Sequence, residues 1–150
     1  MKPVALFLAG LMLASPIAIS LNAYAATPEE TIAARKANRK KAGDLSDAIK
    51  KALAGGASAG SQLAAVQEMD DLARAFPAMF PAGTETGGDT KALPAIWSNR
   101  AGFDEASNNG IAAIDKLLAA AKSDDTAAFT KQFAEVGPTC GACHRNYKAR

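Results

Sequence analysis

Apolar residues recur at three- and four-residue intervals along four stretches of the chain, the repeat of one helix face. In the first stretch Ile32, Leu45, Ile49 and Leu53 recur as far as Gly55-Gly56. Thr27-Pro28-Glu29-Glu30 supplies its start: a capping threonine, proline at the first helical position and a glutamate that closes a capping box. A helix over residues 28–54 follows. A second, over about 59–76, carries Leu63, Val66, Met69 and Phe76 and ends at Pro77. Prolines and glycines then predict an exposed connection over roughly 77–92, long for a bundle loop. The third stretch opens at Leu93-Pro94-Ala95-Ile96-Trp97 and runs through Phe103, Ile114, Leu117, Leu118 and Ala121, with a break near Asn99–Gly102. Ser123-Asp124-Asp125 reads as a turn and cap, after which Phe129, Phe133, Val136, Cys140, Cys143 and Tyr147 share one face. Pro138 is expected to bend this last helix or restart it just before Cys140. Four striped helices in series predict an all-α fold, an antiparallel four-helix bundle.

The N-terminus changes this picture only by subtraction. Met1-Lys2, an apolar run from Pro3 to Leu21, and Ala23-Tyr24-Ala25 form a secretory signal peptide cut after Ala25. Ser15, Pro16, Ser20 and Asn22 interrupt the run and no basic stop-transfer flank follows, which argues against an anchor. Residues 1–25 are thus expected to be removed on export, leaving 26–150 as a single periplasmic domain without a membrane anchor. A formal net charge of +2, with no Lys/Arg tract interleaved with aromatics, excludes a nucleic-acid platform.

The chemistry is concentrated in Cys140-Gly141-Ala142-Cys143-His144, which holds both cysteines and the one histidine of the chain. Cys-x-x-Cys-His is the attachment signature of c-type haem: two thiols add to the porphyrin vinyl groups and the imidazole ligates iron. On a helix one turn presents all three groups together. Competing readings are a thioredoxin-like pair, which needs a preceding strand, a structural zinc site, which needs a fourth ligand, a catalytic zinc site, and a plain disulfide. The expected cofactor is one covalent haem c with its iron, near one end of the bundle. On the inward stripe of the first helix, Arg35 and Arg39 are costly unless paired. The haem propionates are a specific counterpart, and Arg35 is the better placed to meet them bidentately.

The chain resembles the cytochrome c′ and cytochrome c-556 family, the four-helix class II c-type cytochromes. The matching residues are Arg35-Lys36-Ala37-Asn38, Met79-Phe80-Pro81, Leu93-Pro94-Ala95-Ile96-Trp97 and Val136-Gly137-Pro138-Thr139-Cys140 leading into the haem motif. The resemblance implies that Cys140 and Cys143 bind haem, that His144 is the proximal ligand, and that Arg35 approaches a propionate. It places Lys148 at a basic position beside the proximal pocket. In the family, a methionine four residues after the first-helix arginine marks six-coordinate electron carriers. An apolar residue there marks five-coordinate binders of gases, nitric oxide above all, and many members pair as homodimers through the first two helices. Here that position is Arg39, a poor iron ligand that can donate to a bound diatomic or water or turn to a propionate.

The expected function is electron transfer with periplasmic redox proteins as partners. The alternative is a five-coordinate haem protein that binds nitric oxide or carbon monoxide and buffers or senses nitric oxide. No enzyme is expected, because with His144 committed no distal imidazole remains for peroxidase-like chemistry. N-terminal sequencing of protein exported from a bacterial host should begin at Ala26; an intact Met1 in the exported protein contradicts the signal peptide.

Overall fold

The structure, a computed structural model, describes residues 26–150; the expected signal peptide lies outside the described residues. Helix α1 spans Pro28–Ala54. Its capping box forms as the sequence predicts: Glu30 N donates to Thr27 Oγ1 at 3.2 Å, and Thr27 N donates to Glu30 Oε2 at 2.8 Å. A 3-10 turn over Gly60–Gln62 leads into α2 (Leu63–Ala75), and a second, Phe76–Met79, carries the chain past Pro77. The long connection follows. Then comes the one-turn α3 (Ala95–Ser98), and Asn99 breaks the path, with φ −126° and ψ 58°, before capping α4 (Arg100–Lys122).

Helix α5 runs unbroken from Thr126 to Tyr147 and contains Pro138, so the expected restart before Cys140 does not occur. The proline forfeits one amide, and the carbonyl left over belongs to Ala134 on the exposed side, where water can satisfy it. Thr139 Oγ1 also donates to the Val136 carbonyl at 2.7 Å.

The helices make a four-helix bundle in which α1 packs on α2, α2 on α4 and α4 on α5. The backbones of α1 and α5 stay apart over almost their whole length. At the end remote from the cysteines, the turn after α1 is tied to the turn between α4 and α5. Ala59 N donates to Thr126 Oγ1 at 3.1 Å, and Gly60 N donates to Asp124 Oδ1. A Cβ on Gly60 would stand 2.9 Å from that carboxylate oxygen, so the close approach requires glycine.

Two apolar clusters fill the interior. One holds Ile49, Val66, Met69, Ile114, Leu117 and Phe129. The other, at the cysteine end, is aromatic: Phe80, Phe103 and Tyr147 with Ile96, flanked by Phe76, Met79, Trp97 and Cys143. Its rings meet edge to face, Phe80 to Phe103 at 5.0 Å and Phe103 to Tyr147 at 5.4 Å. Phe129 is fully buried in the first cluster. Phe129→Ala should lower stability by about 3–5 kcal/mol. Urea unfolding of the haem-loaded protein would read this as a lower midpoint with an unchanged visible spectrum.

Candidate cofactor site

The last turn of α5 is held from two sides. Beyond it the tail pairs with the end of the long connection: Leu93 N donates to Tyr147 O at 3.1 Å, Ala149 N to Lys91 O at 2.8 Å, and Ala92 bridges Lys148. Behind it Tyr147 is buried against Phe103, and its Oη accepts from Asn99 Nδ2 at 3.5 Å. Gly102 makes this possible, because a Cβ there would fall 2.6 Å from Asn99 Nδ2 and 2.7 Å from the tyrosine oxygen.

On that turn Cys140 is exposed, Cys143 is half-buried against the aromatic cluster, and His144 follows on the open side. Both thiols are free. Burial raises the pKa of Cys143, reinforced by Cys140 and opposed by Arg39. His144 is shifted down, first by partial burial and then by the cations of Lys148 and Arg39. A lowered pKa keeps the imidazole neutral, with a lone pair for a metal, to lower pH than an ordinary histidine.

Arg35 and Arg39 lie one turn apart on α1 and are handled differently. Arg35 is buried and clamped to the long connection. Its Nη1 donates to Thr84 Oγ1 at 2.9 Å, and its Nη2 donates to Thr84 O at 2.7 Å and to Thr90 Oγ1 at 2.6 Å. Its guanidinium also lies over Phe80, 4.7 Å from the ring centroid. Burial lowers its pKa, with Glu85 opposing. Arg39 is only partly exposed and stacks on Phe76 at 4.0 Å. Its Nε and Nη2 donate to Asn38 Oδ1 at 2.8 and 2.5 Å, and Nη2 also donates to Leu72 O at 3.0 Å. Burial again depresses its pKa, while Cys140 and Cys143 oppose the shift, and its Phe76 platform packs on the same aromatic cluster as Cys143.

Cys140, Cys143 and His144 share the end of α5, and Arg39 on α1 lies within electrostatic reach of all three. Arg35 stands one turn away at the connection, and Lys148 is exposed just past the end of α5. Sequence reasoning missed Asn38, Thr84 and Thr90. Asn38 sits three residues after Arg35 on the same buried stripe, a signal that spacing carries. Thr84 and Thr90 lie 49 and 55 residues from Arg35, and no local pattern announces them. The two sulfur donors outside the motif part ways: Met69 is buried in the far cluster, whereas Met79 packs on the same aromatic cluster as Cys143.

These residues fit a planar, covalently anchored macrocycle. Two free thiols and an imidazole occupy one turn, α1 leaves the facing side open, and aromatic side chains border it. Among the described residues no group of three or more His, Cys, Asp or Glu side chains converges to hold a bare metal ion, which disfavours the zinc readings. The fold and this turn together define a c-type haem protein built on a four-helix bundle. The family model described as cytochrome C′ matches residues 30–148, and the chain belongs to that family. Its cofactor is covalently bound haem c with its iron.

The chain is similar to a cytochrome c′ of Rhodopseudomonas palustris, 34% identical over 136 residues that cover 85% of this chain and 87% of the relative. Among solved structures it is similar to a nitric oxide complex of a variant cytochrome c′ from Alcaligenes xylosoxidans. That match has a TM-score of 0.76 and 30% identity, covering 83% of this chain and 98% of the other. Another similar structure is a cytochrome c′ with ligand-controlled dimer dissociation, at a TM-score of 0.78 and 27% identity, covering 84% and 99%.

Replacing both Cys140 and Cys143 with serine should leave a bare polypeptide mass after denaturation, where the wild type from a host competent in c-type maturation shows polypeptide plus one haem. Haem retained covalently by the double variant would move the attachment site elsewhere.

Proposed function

We propose that the protein is a periplasmic monohaem electron carrier in which Cys140 and Cys143 form the thioethers and His144 ligates the iron. The observation that carries this reading is the exposure of the attaching turn: Cys140 and His144 both face solvent at one end of the bundle. A redox partner docking there meets the edge of the cofactor without displacing any helix. Haem c supplies a one-electron iron couple at this place. The surrounding residues hold and tune it. Tyr147, Asn99 and the paired tail keep the turn rigid, and His144 stays neutral and ready to ligate. Arg35 keeps its Nε–H and one Nη1–H free for a propionate while remaining clamped to Thr84 and Thr90. Lys148 adds a cation beside the imidazole. Among the described residues no helix is long and apolar enough to cross a membrane.

A second reading, binding of a diatomic gas at the face opposite His144, has its own support. Arg39 rather than methionine stands four residues after Arg35 and within electrostatic reach of the cysteine turn, and a similar cytochrome c′ structure is a nitric oxide complex. Two copies pairing through α1 and α2 is the corresponding assembly, supported by the dimer of the other similar structure.

A reductive titration of the purified haem protein should consume one electron per chain and reverse on reoxidation; the absence of a reversible couple rejects the carrier reading. In the same samples, reduced protein should bind carbon monoxide, and Arg39→Met should convert it toward low-spin ligation and suppress that binding. Wild-type ferrous protein that is already low-spin and refuses carbon monoxide rejects the gas reading, and Met79→Ala then tests the sulfur nearest the site.

A further inference from the structure

Arg39 is a cation without a counterion. Among the described residues no carboxylate lies within ion-pair distance of it, and its hydrogen bonds go to one amide oxygen and one backbone carbonyl. Asn38, Leu72 and the Phe76 ring fix the guanidinium on one edge, leaving Nη1 with no partner in the protein. Nη1 is not sealed from solvent, so this part-buried charge keeps one N–H edge open to an anion.

The cofactor does not remove this imbalance. Ferric haem carries a net positive charge at the iron, so its centre would supply no counterion to Arg39. The propionates carry the opposite charge, but Arg35 at the connection has two uncommitted N–H groups for them. We propose that Arg39 makes the α1 side of the haem a binding site for small inorganic anions, the class of fluoride, azide and nitrite, taken up by the ferric protein. Iron would attract the anion electrostatically, and Nη1 would donate a charge-assisted hydrogen bond to it. Because the guanidinium is already anchored, little of its freedom is lost on binding. This rests on the reading that Cys140, Cys143 and His144 hold the haem.

The test is titration of ferric haem-loaded protein with fluoride and with azide, followed by visible spectroscopy, in wild type, Arg39→Leu and Arg39→Lys. Wild type should bind both anions, and Arg39→Leu should weaken them roughly 10- to 100-fold, the span of one hydrogen bond to a charged group. Arg39→Lys should recover most of the loss. The affinity of the ferrous forms for carbon monoxide, a neutral ligand, should change far less than that for fluoride. If Arg39→Leu takes up no haem, Arg39→Gln replaces it as the uncharged variant.

Equal fluoride affinity in wild type and the uncharged variant overturns the proposal. So does a wild type that ignores both anions while its ferrous form takes carbon monoxide, and so does an equal loss of carbon monoxide and fluoride binding. A protein that cycles one electron but binds no anion sinks only this inference; one without covalent haem sinks the reading beneath it.

Discussion

A helix turn that offers two thiols and an imidazole to one planar group cannot bury that turn in an ordinary helix–helix seam. The rest of the bundle is arranged around this constraint. Three of its four helix interfaces close side by side, and the fourth, between α1 and α5, stays open. Away from the cysteines, Leu45, Ile49 and Leu53 of α1 still share one apolar cluster with Phe129, Phe133 and Val136 of α5, and haem c is the group that can add apolar area toward the cysteines. Rigidity at the open end must come from elsewhere. The aromatic cluster and the pairing of the tail with residues 91–93 provide it, locking Tyr147 one turn below the cysteine pair.

The same open seam explains the two arginines. A buried guanidinium needs several acceptors at fixed distances, and the chain supplies them from different places. Arg35 takes two threonine hydroxyls and a carbonyl from the long connection, so that connection acts as a structural clamp as well as a crossover. Arg39 takes its acceptors from its own helix and from α2, and both lie on one side of it. One arginine is thus folded into the scaffold and the other is left with an unused edge. Cation–ring stacking on Phe80 and Phe76 holds each plane in place.

Asp70 shows that polar burial is not always resolved inside the chain. It is buried between α2 and α4, where Oδ2 pairs with Arg74, which also reaches Asp115. Its Oδ1 has no protein partner, a position suited to an ordered water. It lies off the cofactor gap, and nothing beside it marks a ligand site.

How much of this was legible in the sequence follows the range of the forces involved. Helix α1 runs over the predicted residues because caps and apolar spacing act within a few residues of the chain. The break at Asn99 and the cap at Asp125 are legible for the same reason. The Cys140–His144 spacing is likewise local, and the structure sets it on one helix. Of the two effects expected of Pro138, the restart does not occur, because α5 continues through it and the orphaned Ala134 carbonyl lies on the exposed side. Thr84, Thr90 and Leu72 were not legible as arginine acceptors, because they reach α1 from 33 to 55 residues away. The residues by themselves therefore determined the four-helix order and the ends of α1, which are matters of local hydrogen bonding and periodicity. Only the tertiary structure decided which arginine is consumed by the scaffold and which keeps an N–H edge free, because that depends on acceptors the chain brings together only on folding.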